Sequence, residues 1–184
     1  MLETQAAPRA RRARVAARPS IPSRSLDDLG RLTPAELLAL YRTGGVPEEL
    51  AALDGDLVGR MLAIRGLPLR AIASLAGSDR FPWGGKSFLA VDAATGTGIN
   101  RVRLGGRHRL FPFRTLFGPS VVDGQPCVVL DYDDADNPGF IRSIHDEIRE
   151  LDPGLYLGPA CWKRAGQSPL VVLWFALDTR GVAA

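Results

Sequence analysis

From Pro82 onward the chain alternates apolar segments of six to ten residues with turns built from Gly, Pro, Asn or Asp. Residues 86–93, 99–104, 109–117, 126–133, 155–162 and 170–177 read as strands, and Val121 with Val122 as a short additional one. Short strands at regular spacing with turn punctuation predict an antiparallel sheet folded as a sandwich or barrel. Upstream the period becomes helical. Thr33 suits a helix cap, Pro34 the first helical position and Glu36 the closing residue of a capping box. Leu37, Leu38, Leu40 and Tyr41 then follow at helical spacing, and Gly44-Gly45 ends them. A short helix is expected over 47–53, a strand over 56–65 and a third short helix over 67–78.

Several strands are apolar on both faces. In CVVLDY, Cys127 and Val129 share a face with Asp131, while Val128 and Leu130 share the other with Tyr132. A sheet with one solvated face would carry polar residues at alternate positions. Two apolar faces predict a closed barrel covered by helices, or a barrel around an apolar cavity.

Between two strand segments, 138–151 reads as a helix, with Asn137 as cap and Pro138 at its first position. Phe140, Ile141, Ile144, Ile148 and Leu151 form one stripe at i, i+4 and i+7 spacing, with His145 at its edge. Capping chemistry also accounts for the acids Asp131, Asp133, Asp134 and Asp136, which lack the Gly and Glu positions of a calcium loop.

Charge sharpens the domain boundaries. The 184 residues carry a formal +3, but residues 1–24 hold six arginines against Glu3 alone. The remainder has 17 basic and 19 acidic residues, a net of −2. Residues 1–25, rich in Arg, Ala, Pro and Ser, cannot bury enough apolar area to offset the entropy of ordering them. A disordered Arg-rich arm is therefore expected at 1–25, followed by one domain over 26–184. No apolar segment follows Arg11-Arg12 as a secretory signal requires, and no apolar run reaches the ~20 residues of a membrane span. A cytoplasmic location is expected. The body offers no basic stripe, zinc spacing or RNA-binding aromatic motif, so nucleic acid is not expected as a partner. Cys127 and Cys161 sit in apolar runs and read as buried free thiols. Two histidines without nearby ligand partners make no zinc or iron site, and no cofactor is expected.

Candidate chemistry rests on a few polar residues in apolar strands. Arg114 and Asp131 each place a charge there, which is costly unless paired. Either they pair with each other, or with Asn100, Glu147 or Tyr156, or they line a cavity and fix the polar end of an apolar ligand. His145 could move a proton near neutral pH. Trp83, Phe88, Trp162 and Trp174 could wall a pocket or simply pack a core.

Three segments taken together carry a family resemblance. They are LDGDLVGRML after the capped helix, PWGGKSF, and the run VLDYD…NP…F.R.IHDE…GLYLG…FAL. Their order resembles small proteins of the GXWXG type, over about Leu32 to Asp178, although Leu57 stands where the motif has Trp. The resemblance implies a lipocalin-like antiparallel barrel with a pocket, and no particular activity. The expected architecture is thus α+β: a small lipocalin-like barrel, N-terminal helices, and one helix inserted before the last two strands. The expected function is binding of a hydrophobic, lipid-like or secondary-metabolite-like molecule in the barrel. Arg114, Asn100, Trp83, Trp162 and Trp174 would meet it, with Lys86 at the mouth. The alternative is a cofactor-free cyclase or isomerase in which His145, Asp131 or Tyr156 moves a proton. Oligomeric state is left open by the sequence.

Overall fold

The computed structural model describes residues 23–68, 82–103 and 105–181. Eight strands pair in chain order, each antiparallel to the next, and the last pairs with the first to close a barrel. They are β1 (Gly55–Ile64), β2 (Trp83–Ala90), β3 (Thr95–Arg103), β4 (Arg107–Pro119), β5 (Pro126–Asp131), β6 (Ile144–Asp152), β7 (Leu155–Arg164) and β8 (Gln167–Asp178). Eight strands leave an interior just wide enough to be filled by side chains or to hold one small ligand.

The two apolar faces anticipated for the strands are both present. Leu57, Phe88, Phe113, Val128, Leu130, Ile148, Phe175 and Leu177 build the interior core. Leu62, Leu155, Leu157, Trp174 and Ala176 form a second cluster on the outside, covered by Leu29, Leu37 and Tyr41 from the N-terminal helices. Those helices are α1 (Leu26–Leu29) and α2 (Pro34–Tyr41), both started by capping boxes, from Ser25 with Asp28 and from Thr33 with Glu36. A 3-10 turn, Leu50–Leu53, adds Leu50 and Leu53 to the interior core.

Several expectations are corrected. The helix expected over 138–151 is α3 (Gly139–Arg142), and the chain from Ile144 is strand β6. Three strands therefore follow the inserted helix rather than two. Ile144 and Ile148 are four apart, and an even spacing keeps two residues on one face of a strand as well as of a helix. Burial decides between them. Asp146, Glu147 and Arg149, which a helix would have turned to water, are buried on both faces of β6. Asn137 does not cap α3. It donates its Nδ2 to the carbonyls of Pro112 (2.7 Å) and Tyr132 (3.0 Å), and Pro138 takes the cap position. Val121 and Val122 lie in a turn. Of the expected arm, residues 1–22 lie outside the described residues, while Arg24 pairs with Asp152 at 3.1 Å and Ser25 caps α1. Most of the third expected helix, residues 69–78, also falls outside them. Among the described residues no helix is long and apolar enough to cross a membrane.

Candidate functional site

One end of the barrel interior contains a polar cluster surrounded by aromatic rings. Two irregularities in the sheet create it. Between Trp83 and Gly85 the β2–β3 register slips, and Gly85 adopts φ +123 with its α-carbon against Leu57 carbonyl oxygen, where a Cβ would sit 2.1 Å away. This bulge turns both Trp83 and Lys86 toward the interior. A second slip lies between Ile99 and Asn100, where β4 bulges at Phe111. Phe111 holds φ +60, which is uncommon for a non-glycine residue and strained for a bulky one. Its carbonyl accepts a hydrogen bond from Asn100 Nδ2 at 3.2 Å.

Lys86 is 2 % exposed, in the interior rather than at a mouth. Its ammonium donates to Asn100 Oδ1 (2.9 Å), Tyr132 Oη (2.5 Å) and Asp146 Oδ2 (2.9 Å). Four rings surround it, Trp83, Phe113, Tyr132 and Phe175, with centroids 5.1 to 5.6 Å from Nζ. Gly98 makes room for one of them: a Cβ there would lie 2.3 Å from the Phe113 ring. Trp83 Nε1 donates to Asn100 Oδ1 at 3.0 Å, and Tyr132 Oη donates to Asp146 Oδ2 at 3.1 Å. Burial pushes the Lys86 amine below its ordinary value, only partly offset by Asp146. Burial likewise pushes the Tyr132 phenol up, and the neighbouring Asp146 adds to it. One atom of this cluster is left over. Asp146 Oδ1 is buried and has no hydrogen-bond partner among the described residues.

The structure separates the other residues singled out in the sequence from this cluster. Arg114 and Asp131 face each other across β4 and β5 on the outside, 3.1 Å apart, with the Arg114 side chain 63 % exposed. Lys163 also reaches Asp131, at 3.5 Å. An exposed pair of this kind contributes little, so Arg114→Ala should shift the urea unfolding free energy by less than about 1 kcal/mol. His145 lies opposite Asp131 on the same outer face. Tyr156 points inward but further along β7, opposite Glu150, whereas Asp146 faces Ala160. Trp174 packs outside against Tyr41, with ring centroids 5.7 Å apart. Trp162 is 39 % exposed near the end of β7. Of the expected ligand-binding residues, Lys86, Asn100 and Trp83 come together. Tyr132 and Asp146 join them and were missed, though a period-two reading finds both. Asp146 falls between Ile144 and Ile148, and Tyr132 follows Val128 and Leu130.

A second buried network underlies α2. Glu147 is fully buried and accepts from Ser120 Oγ (2.5 Å), Tyr41 Oη (3.1 Å) and the Val121 amide (3.0 Å), with His145 Nε2 at 3.4 Å. Arg149 clamps Asp123 through two bonds of 2.9 and 2.6 Å and lies over the Tyr41 ring. Cys127 and Cys161 are free and buried. Burial pushes the Cys161 thiol up to about 12, so neither its position nor its ionisation suits a nucleophile.

This network is expected to make stability acid-sensitive. Burial raises Glu147, but hydrogen bonds from His145, Ser120 and Val121 outweigh it and hold the carboxyl below its ordinary value of 4.5. Asp123 is also held low, chiefly by its bond from Arg149. Unfolding releases these carboxyls to bind protons more readily. Their contribution is complete above about pH 4.5 and is lost as pH falls through the lower folded values. The urea midpoint should therefore drop below about pH 4.5, and Glu147→Gln should make that drop shallower. A midpoint unchanged down to pH 3 would contradict this.

Among the described residues, no three His, Cys, Asp or Glu side chains gather in a way that could hold a metal ion. Comparison with protein-family models, with curated proteins and with solved structures finds no match.

Proposed function

We propose that the protein binds a hydrophobic small molecule inside the barrel, with the polar end of the ligand at Asp146. The observation that carries this reading is the unpartnered Asp146 Oδ1, buried in a cluster whose other polar atoms are bonded. A buried oxygen of this kind costs roughly 1–3 kcal/mol if left unmatched. A ligand hydroxyl or enol would donate to it, and the rings of Trp83, Phe113 and Phe175 would pack against the apolar body. Barrel size and two bulges beside the cluster support the same reading. The order of segments that resembles GXWXG-type proteins implies a pocketed barrel of this kind.

The second reading is a cofactor-free cyclase or isomerase acting on such a molecule. It is favoured by the Lys86–Tyr132–Asp146 chain of hydrogen bonds. Asp146 would accept a proton from the bound substrate while Tyr132 or Lys86 stabilised the developing charge.

Titration of the whole protein with an environment-sensitive apolar dye tests the site. One dye per chain is expected, with affinity weakened in Asp146→Asn; the variant keeps the shape but removes the charge paired with Lys86, so urea unfolding run beside the titration confirms that it is folded. Absence of saturable binding, or binding indifferent to Asp146→Asn, would rule out this site. Asp146→Asn that keeps binding of an identified substrate but abolishes its conversion would select the enzyme.

A further inference from the structure

We propose that the outer face of the β3–β4 hairpin is a second site, taking a small molecule that carries two or more phosphate groups. In this hairpin Arg101 stands directly opposite Arg109, and Arg103 directly opposite Arg107. Alternation places all four guanidiniums on one face, the outer one, because Asn100 between them and the bulge points inward. Like charges directly opposite each other destabilise a strand pair. Among the described residues one carboxylate lies against them. Asp56 reaches Arg101 at 3.4 Å and Arg109 at 3.5 Å. Arg103 and Arg107 make no ion pair with any described carboxylate. Burial and the three neighbouring arginines press the Arg101 guanidinium below its ordinary value, against the pull of Asp56. Arg101 Nε is buried without a hydrogen-bond partner among the described residues.

These side chains surround a groove of about 670 Å³, shared by Asp56, Arg101, Arg103, Arg107, His108 and Arg109. That volume lies within the range of small-molecule sites. Four guanidiniums and one carboxylate leave a local charge of three, which one monovalent anion does not match. Guanidinium forks fit phosphate oxygens two at a time, so a diphosphate answers both the charge and the geometry. The sequence shows no basic stripe because these arginines alternate with other residues along two strands. Only the hairpin brings them together.

Calorimetric titration of the full chain with inorganic pyrophosphate tests the site, with orthophosphate and citrate as comparison ligands. Pyrophosphate is expected to bind one per chain and more tightly than either comparison ligand. Raising the salt concentration should weaken it. Arg101→Gln with Arg107→Gln should weaken it about tenfold or more, as loss of charge-assisted hydrogen bonds implies. Asp56→Asn should tighten it severalfold, because the competing carboxylate is gone. Should the double variant fold poorly, the unaltered protein gives the answer instead: pyrophosphate should protect Arg103 and Arg107 from phenylglyoxal. No binding, citrate binding as tight as pyrophosphate, indifference to the double variant, or absence of protection would overturn the proposal. Indifference to the double variant would move the binding to the Arg-rich N-terminal segment.

Discussion

Lys86→Met is expected to destabilise the protein by about 3–5 kcal/mol, the cost of breaking a buried ion pair. The methionine fills nearly the same volume, so little of the effect comes from a cavity. What is lost is the only ion-pair partner of Asp146 among the described residues, in a site where both side chains are almost fully buried. Asp146 would then keep one bond, from Tyr132, for two buried oxygens. Asn100 Oδ1 and Tyr132 Oη would each lose a donor. The double variant Lys86→Met with Asp146→Leu should recover most of the loss, because removing both charges removes the desolvation cost of each. Urea unfolding of the two variants measures this directly. A loss below about 1 kcal/mol for Lys86→Met would mean that water reaches the pair as it reaches a surface one.

Glu147→Leu is expected to cost about 3–4 kcal/mol, again through the groups left behind. The carboxylate accepts from the hydroxyls of Tyr41 and Ser120 and from the backbone amide of Val121. A leucine would bury the Val121 amide unpaired and leave the Tyr41 and Ser120 hydroxyls only their 3.3 Å bond to each other in place of the carboxylate. The three partners sit on α2 and on the turn between β4 and β5, so the carboxylate ties the outer layer to β6. Hydrogen exchange should accordingly speed up in α2 and in residues 120–125 before it does so in β7 and β8. Loss of protection spread evenly over the barrel would contradict this assignment.

How far the sequence revealed this depends on the element. Strands with both faces apolar pointed to a covered, closed sheet, and the capping box at Thr33 located α2 directly. β6 was the difficult case. Its isoleucines satisfy two periods at once, and its run of charges resembles a solvated helix face. The tertiary fold resolves it by burying Asp146 inside beside Lys86 and Glu147 outside beneath Tyr41. Arg114 and Asp131 showed the opposite problem. The parity of Asp131 with Cys127 was legible, but which face of β5 looks inward, and that Arg114 meets Asp131 there, is set by the register of the whole barrel. The binding partner of Lys86 was hidden for the same reason. Asp146 lies 60 positions away in the chain, and only closure of the barrel brings the two together.

The measurement that bears most directly on the interior site is mass spectrometry of small molecules extracted from the purified full-length protein. One predominant hydrophobic species carrying a hydroxyl or enol, near one equivalent per chain and depleted in Asp146→Asn, is the predicted result. An extract without such a species, from a protein that also fails to take up an apolar dye saturably, would contradict a ligand site at Asp146.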